Sequence, residues 1–263
     1  MLRFFRTIRK KLMEQNKVRS YIFYAIGEIL LVVIGILIAL QVNNWNEVRK
    51  ERNREVAYLE RLTENITSDL EVYKLNIEFY QQVLKDGTLA LAYANSNDVS
   101  GYSNWDILLA FFNASQIWPI ITESSTYEEL KSSGELSLLK SIELRDRLAF
   151  YYGGAQYRYN QTIGINPPYR KLARVKIPYS VQSYMWDNCH KTIGDIQQLT
   201  DCEPGISEIE AKLLLQKLKA DEELIGELSY WMSSIRAGWH PLLENVKLCN
   251  TILDEIKNYK KEL

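Results

Sequence analysis

The feature that most constrains this chain is an apolar run near its start, residues 21–42, which reads YIFYAIGEILLVVIGILIALQV. Glu28 is the one charged residue in this run, and residues 29–40 carry no polar side chain. A helix of this length extends about 33 Å, enough to cross a hydrocarbon core of about 30 Å. A helix that is apolar on all sides is typical of a membrane span and not of a soluble protein surface. The sequence therefore predicts a transmembrane helix over residues 21–45.

Aromatic and basic residues flank the predicted span. Tyr21 and Tyr24 lie at one end and Trp45 at the other, as expected of the side chains that line membrane interfaces. Residues 1–20 carry a net charge of +6, and the rest of the chain carries −7. The positive-inside rule therefore puts this first segment in the cytoplasm and residues 46–263 in the periplasm, on a bacterial inner membrane. The predicted topology-setting residues are Arg3, Arg6, Arg9, Lys10, Lys11, Lys17 and Arg19.

The basic segment before the span is also amphipathic. Leu2, Phe5, Ile8 and Leu12 share one helix face. This pattern suits either a short helix on the anionic membrane surface or a segment whose charges only set topology. A cleaved signal peptide is the alternative to a span, but no small-x-small cleavage pattern follows the apolar run. An uncleaved signal anchor is therefore favoured.

The remainder of the chain has the pattern of a helical domain. Apolar residues recur at spacings of three and four from Leu59 to Leu84, which indicates one buried helix face. No Gly or Pro interrupts residues 46–86. Two long helices, over about residues 46–94 and 221–261, are predicted to pack antiparallel with shorter helices between them. The expected fold class is all-α: the N-terminal transmembrane helix continues into a periplasmic helical bundle.

Capping patterns predict where the shorter helices begin. In a capping box, a Ser caps the helix and a Glu three residues later bonds back to the cap. The pattern predicts such boxes at Ser125–Glu128 and Ser207–Glu210. Ser141 is predicted to cap a helix over residues 142–161, and a further segment is expected over residues 167–186. No strand is predicted, because no run alternates between apolar and polar residues.

The chain has three cysteines, and two of them flank a polar loop. We predict a disulfide between Cys189 and Cys202, which an oxidising periplasm permits and which would stabilise the fold by roughly 3 kcal/mol. Cys249 lies among apolar residues in the last helix, where cysteine is usually a small buried hydrophobe. Asp187 and His190 could join the cysteine pair in a metal site, but the spacing matches no standard zinc pattern.

No catalytic or cofactor motif is present. The sequence lacks the dinucleotide-binding, phosphate-binding, zinc-peptidase and nucleophile-elbow patterns. Ser137–Lys140 fits the SxxK pattern of penicillin-binding proteins, but the companion motifs are missing. Because residues 46–263 follow a basic N-terminal segment and are themselves acidic overall, we do not expect them to bind nucleic acid. We therefore expect a protein that is not an enzyme and that holds no cofactor or metal.

One polar residue stands out within the predicted span. Glu28 lies about 10 Å inside it, where a charge costs roughly 1–3 kcal/mol unless it is protonated, paired or hydrated. Glu28, Leu31, Gly35 and Ala39 share one helix face, and the last two form a small-xxx-small pair that lets helices approach closely. Three interpretations are open. Glu28 marks the cytoplasmic edge of the span, contacts another helix in an oligomer, or lines a cation pathway as a ring.

Two parts of the sequence resemble a known family. Residues 24–47, which read YAIGEILLVVIGILIALQVNNWNE, and residues 126–134, which read TYEELKSSG, look like those of a family of uncharacterised bacterial membrane proteins, classed as a domain of unknown function. The resemblance implies a single-span, membrane-anchored protein, and it implies no activity, ligand or catalytic residue. The second motif has either a structural role or a role in recognising a periplasmic partner. The candidate recognition residues are Thr126, Tyr127, Glu128 and Gly134.

These observations favour a membrane-anchored, non-catalytic periplasmic scaffold or interaction protein that self-associates. The expected partners are the lipid bilayer, further copies of the chain and a periplasmic protein. One alternative is a periplasmic sensor or small-ligand-binding protein, because many Tyr and Trp side chains could line a pocket. With only about 20 residues before the span, a sensor would need a partner to carry its signal. The other alternative is an oligomeric membrane channel with a ring of Glu28.

Overall fold

The chain divides into two compact units, Met1–Ala57 and Tyr58–Leu263. Within the described residues the fold is all-α apart from one two-stranded hairpin, which confirms the predicted fold class. The computed structural model describes residues 18–155, 163, 166–193 and 196–262.

The longest helix, α1, runs Val18–Ala94 and supplies residues to both units. Its continuity agrees with the lack of Gly and Pro after the predicted span. Gly87 lies inside this helix because a larger residue does not fit there. A Cβ atom at Gly87 would collide with the side chain of Met232. The glycine therefore allows two helices to approach closely.

The unit Tyr58–Leu263 contains several shorter helices and one long one. Its helices are α2 (Asn104–Asn113), α3 (Ser125–Ser132), α4 (Ile142–Phe150), α5 (Pro168–Lys176), α6 (Tyr179–Asn188), α7 (Glu208–Lys219) and α8 (Glu222–Glu262). A 3₁₀ turn, Glu135–Leu138, follows α3, and a π-helical turn, Tyr151–Ala155, follows α4. Strands β1 (His190–Ile193) and β2 (Ile196–Leu199) form an antiparallel hairpin between α6 and α7.

Helices α1 and α8 pack antiparallel, as predicted. Lys260 Nζ lies 3.2 Å from Glu60 Oε1, so the end of α8 meets the start of the α1 portion in this unit. Farther along, the rings of Tyr80 and Trp231 meet edge to face with centroids 6.5 Å apart. Such aromatic pairs add about 0.5–1.5 kcal/mol beyond the area that they bury.

The buried stripe of α1 differs slightly from the predicted one. Its buried apolar members include Leu59, Leu62, Ile66, Leu70, Tyr73, Tyr80, Val83 and Ala90. Ile77 and Leu84, which the sequence pattern included, are half-buried. The stripe passes instead through Asn76 and Val83, which are fully buried. Over this part of α1, the buried face is therefore shifted by one residue from the face that the apolar spacing predicts.

Two predicted helices differ from the observed ones. The segment predicted over residues 142–161 is α-helical as far as Phe150 and then π-helical as far as Ala155, and residues 156–161 lie outside the described residues. The single segment predicted over residues 167–186 is wrong, because it divides into α5 and α6 at Pro178. Proline has no N–H group and forces the preceding residue into an extended conformation, so the helix cannot continue through it.

The hairpin was not predicted. Its strands pair His190 with Leu199 and Ile193 with Ile196. Each strand has four residues, and β2 contains two adjacent glutamines, so no clear alternation marks it in the sequence. The expectation of a strand-free domain is therefore wrong at this one place.

Two of the predicted helix caps are confirmed. The Ser207 N–H donates to Glu210 Oε2 at 3.0 Å, and the Glu210 N–H donates to Ser207 Oγ at 3.3 Å. The Leu144 N–H donates to Ser141 Oγ at 3.1 Å, so Ser141 caps α4. Both serines occupy the N-cap position that their side chains favour.

The predicted capping box at Ser125 is wrong. Ser125 is already the first residue of α3, and the N-cap is Ser124, whose side chain makes no cap hydrogen bond. Glu128 lies 3.8 Å from Lys131 in an exposed ion pair instead of bonding back to the cap. The sequence motif is present, but the helix begins one residue too early to use it.

Candidate functional site

The first part of α1 exposes a continuous apolar surface. Leu31 is 70% exposed and Ile38 is 58% exposed. The most apolar 18-residue window of the helix has a mean hydropathy of 2.6, and none of it is buried. By length and composition, this helix is able to cross a membrane.

The predicted packing face lies along one side of this helical segment. The spacing of Glu28, Leu31, Gly35 and Ala39 places them on one side of α1. Glu28 is half-buried, whereas the other three are exposed. Space is open at Gly35, where an added Cβ atom would meet no atom within 4 Å.

The structure describes some of the predicted interface residues. Trp45 is 66% exposed, and the guanidinium of Arg49 lies 5.5 Å from the centre of its ring. Tyr24 is half-buried. The guanidinium of Arg19 lies 6.0 Å from the ring of Phe23. The side chain of Tyr21 and the predicted topology-setting residues Arg3, Arg6, Arg9, Lys10, Lys11 and Lys17 lie outside the described residues.

The candidate recognition motif at residues 126–134 is largely built into the fold. Thr126 and Tyr127 are buried, and the Tyr127 ring stacks on Tyr152 with centroids 4.7 Å apart. Glu128 is exposed, and Gly134 has a φ of +75°, which favours glycine. Of the four predicted recognition residues, two are therefore inaccessible to a partner.

A carboxylate between these motif residues attaches α3 to α1. Glu129 Oε2 lies 2.5 Å from Arg61 Nη2 and Glu129 Oε1 accepts a hydrogen bond from the Tyr58 hydroxyl at 3.1 Å. The Tyr58 hydroxyl also lies 2.9 Å from Glu135. These contacts, mainly the one to Glu135, raise the pKa of Tyr58 to about 12. The motif thus has a structural role that explains Glu129 as well as the buried residues Thr126 and Tyr127.

The two loop cysteines are joined. The sulfur atoms of Cys189 and Cys202 form a disulfide with Cα atoms 5.0 Å apart, the pairing that the sequence predicts. The Thr200 N–H donates to the Cys189 carbonyl at 3.0 Å. This hydrogen bond and the disulfide together join the two ends of the chain segment that forms the hairpin. No group of three His, Cys, Asp or Glu side chains among the described residues is able to hold a metal ion, including those around Asp187 and His190.

A buried carboxylate, Asp69, joins α1 to two other parts of the unit. It is 1% exposed and accepts hydrogen bonds from the Tyr151 hydroxyl at 2.6 Å and from the Glu123 N–H at 2.7 Å. Burial raises the pKa of Asp69 to about 6. Nearby, burial raises the pKa of the free Cys249 thiol to about 12, which makes it a poor nucleophile.

A second buried carboxylate, Asp86, joins α1 to α2. It accepts hydrogen bonds from Asn113 Nδ2 at 2.9 Å and from Gln82 Nε2 at 3.3 Å. Burial raises the pKa of Asp86 to about 6. The residue lines a cleft of about 300 Å³ that also contains Asp106 and Asp201.

The sequence contains a signal for both buried carboxylates, although neither belongs to the apolar pattern. Asp69 lies three residues after Ile66, and Asp86 lies three residues after Val83, so each continues the buried stripe. A charged residue at such a position is an exception to the apolar pattern and requires buried hydrogen-bond donors.

Two arginines of α5 are half-buried against the end of α2. Arg170 Nη1 donates to the Ser115 carbonyl at 2.8 Å, and Arg174 Nε donates to Ser115 Oγ at 3.0 Å. The guanidinium of Arg174 also lies 4.1 Å from the ring centre of Phe112 and 5.2 Å from that of Trp186. Burial, with a smaller contribution from Arg170, lowers the pKa of Arg174 to about 10. No motif or periodicity in the sequence marks this cluster.

Another cleft lies between α1 and the hairpin. Its volume is about 220 Å³. Aromatic and apolar side chains form part of its wall, and amide and hydroxyl groups form most of the rest. The lining residues are Leu75, Glu78, Phe79, Gln82, Trp118, Gln197, Gln198, Leu199 and Thr200.

Comparison with known proteins identifies a family whose function is unknown. A family model described as a family of unknown function, DUF6090, matches residues 28–175, which is more than half of the chain. No curated protein and no solved structure matches the chain. The matched range includes the apolar run from residue 28 onward, the motif at residues 126–134 and most of α5. The chain therefore belongs to DUF6090, a family of unknown function.

Proposed function

We propose that this protein is a membrane-anchored, non-catalytic interaction protein whose N-terminal helix crosses a bilayer and self-associates there. The observation that carries this proposal is the exposed apolar surface of α1, where Leu31 is 70% exposed. Apolar side chains over so long a segment are stable only against lipid or another apolar surface. The bilayer is therefore the first partner that we assign to the chain.

A second copy of the same helix is the partner that we assign to the face of Glu28, Leu31, Gly35 and Ala39. Small residues at positions 35 and 39 allow two backbones to approach, and the space at Gly35 is open. A symmetric contact uses the same face on both copies, so one patch is sufficient. Glu28 adds a polar group to this face, which favours a specific interface over random contacts.

The orientation that we propose puts residues 1–20 in the cytoplasm and the helical unit in the periplasm. The charge difference across the apolar helix supports it. The disulfide between Cys189 and Cys202 also supports it, because such bonds persist in oxidising compartments. In this arrangement the helical unit presents its surface to a periplasmic protein partner.

The test of self-association is the native mass of the full-length protein in lipid nanodiscs. We expect a discrete oligomer for the natural protein and a monomer for Gly35→Leu, because the added side chain separates the two backbones. Val33→Leu is the matched control, since residue 33 lies about 160° around the helix from Gly35. It adds bulk to the opposite side and should keep the oligomer.

Two results would contradict this proposal. A monomer for all three proteins means that the helix does not self-associate. An unchanged oligomer for Gly35→Leu means that assembly uses a different surface.

A second candidate function, binding of a small ligand by the helical unit, is favoured by the clefts along α1. Pockets that combine apolar walls with a few polar groups are common ligand sites. A ligand that binds the folded state raises the unfolding temperature. A screen of small molecules by thermal unfolding tests this function independently of oligomer mass.

A further inference from the structure

Three side chains near the end of α2 each have a buried nitrogen atom with no hydrogen-bond partner among the described residues. These atoms are Gln116 Nε2, Arg174 Nη2 and His190 Nε2. Gln116 is 1% exposed, so its amide has no access to bulk water. Buried polar atoms in folded proteins almost always have partners, and an unpaired group calls for a bound water, ion or ligand.

Two intermediate residues, Ser115 and Trp186, connect these three residues. Arg174 bonds to Ser115, the residue before Gln116, and its guanidinium lies against the ring of Trp186. The ring of Trp186 in turn meets the ring of His190 with centroids 4.7 Å apart. We call Gln116, Arg170, Arg174 and His190 the arginine cluster.

The described residues give this cluster of positive charge no acidic ion-pair partner. Neither Arg170 nor Arg174 forms an ion pair within the described parts of the chain. Partial compensation comes from the Ser115 carbonyl just after α2, which accepts a hydrogen bond from Arg170 at 2.8 Å. A half-buried pair of guanidinium groups with no carboxylate is electrostatically unfavourable, and a bound anion relieves that cost.

We propose that the arginine cluster binds a small oxyanion, carrying a carboxylate or phosphate group, through Arg174, His190 and Gln116. A guanidinium is suited to this role because its planar N–H groups match the oxygen atoms of carboxylate and phosphate. The rings of Phe112 and Trp186 both contact the Arg174 guanidinium and restrict its position, while its Nη2 has no hydrogen-bond partner among the described residues. The site is independent of whether α1 self-associates.

The neighbouring cleft gives the anion room for an attached group. His190 makes a side-chain hydrogen bond with Gln197, and Gln197 lines the cleft between α1 and β2. Neutral donors, among them Gln198 and Thr200, make up much of the polar lining, and Glu78 adds one acid. A ligand larger than an inorganic ion would extend from the arginine cluster into this cleft.

The test is thermal unfolding of the full-length protein with inorganic phosphate or acetate, each balanced with chloride at equal ionic strength. Phosphate should raise the unfolding midpoint by about 2–4 °C once its concentration exceeds the dissociation constant several-fold. A response to phosphate alone identifies a phosphate site, and a response to both anions identifies a general oxyanion site. No response to either anion overturns the proposal.

Variants separate specific binding from a general salt effect. Arg174→Gln should abolish the response, whereas Arg145→Gln should keep it, since Arg145 is also half-buried and has an unpaired Nε. An equal response in both variants overturns the proposal. If Arg174→Gln does not fold, two other measurements replace it. The first is the phosphate response of His190→Gln in thermal unfolding. The second is broadening of the ³¹P resonance of phosphate by the natural protein. An unbroadened resonance, or an undiminished response in His190→Gln, counts against the site.

Discussion

Asp69 shows how a single buried residue couples the stability of this fold to pH. Burial raises its pKa to about 6 in the folded protein, compared with about 3.9 for an exposed aspartate. The folded state therefore binds the proton more readily than the unfolded state. The contribution of Asp69 to the free energy of unfolding is fully present below about pH 4, and it is lost as the pH rises through about 6. Burial also raises the pKa of Asp86, so its contribution to the free energy of unfolding is likewise lost as the pH rises.

Replacing Asp69 with Asn should remove this part of the pH dependence. Each pKa unit corresponds to about 1.4 kcal/mol, so the free energy of unfolding of the natural protein should gain about 1–3 kcal/mol relative to Asp69→Asn between pH 7 and pH 4. Urea unfolding at several pH values measures this difference. Asp146→Asn, at an exposed position, is the control and should give a constant difference. A difference that stays constant for Asp69→Asn as well would refute the interpretation.

At the scale of secondary structure, the caps show that the same motif has different effects in different places. The Ser207 capping box has both of its reciprocal hydrogen bonds, whereas the expected box at Ser125 has none of them. The difference arises because α3 starts at Ser125 and leaves Ser124 as its N-cap. When the helix starts one residue earlier, the motif no longer forms its capping hydrogen bonds.

We therefore expect Ser207→Ala to lower the free energy of unfolding by about 1 kcal/mol, because it removes an N-cap hydrogen bond. Ser124→Ala should change it by less than about 0.5 kcal/mol, since the Ser124 side chain makes no cap bond. Chemical denaturation of the full-length protein in detergent compares the two variants. Equal losses would mean that the observed caps do not explain helix stability here.

At the scale of the whole molecule, the apolar part of α1 is the segment that is long and apolar enough to cross a membrane. Its side chains are exposed and apolar over an unbroken segment, whereas the helices of the unit Tyr58–Leu263 expose mostly polar residues with apolar ones, such as Ile209, among them. Insertion into a bilayer depends on this surface, and a charged residue at the centre of a span costs roughly 2.5–3.5 kcal/mol.

The full-length protein should stay in the membrane pellet after washing with alkaline carbonate. A variant with Ile34→Arg and Ile38→Arg should move to the supernatant, because two charges near the centre oppose insertion. A variant with two arginines at exposed positions of α7, Ile209→Arg and Leu213→Arg, should remain in the pellet. Fractionation and immunoblotting measure all three. Release of the natural protein by carbonate would refute membrane insertion.

The sequence alone determined the features that depend on neighbouring residues. The apolar run, the helical spacing from Leu59 onward, the cap at Ser207 and the disulfide between Cys189 and Cys202 are each visible in a short stretch of chain. Side chains three or four residues apart share a helix face, so such patterns need no knowledge of the rest of the fold.

The tertiary structure decided which polar groups are buried and what they contact. Asp69 receives its hydrogen bond from Tyr151, 82 residues away, and Arg170 donates to Ser115, 55 residues away. Burial of a charge depends on every element that packs around it, and local periodicity carries no information about those partners. For this reason the sequence predicted an all-α protein with an apolar anchoring helix, while the partners of the buried carboxylates and the arginine cluster became visible only in the folded molecule.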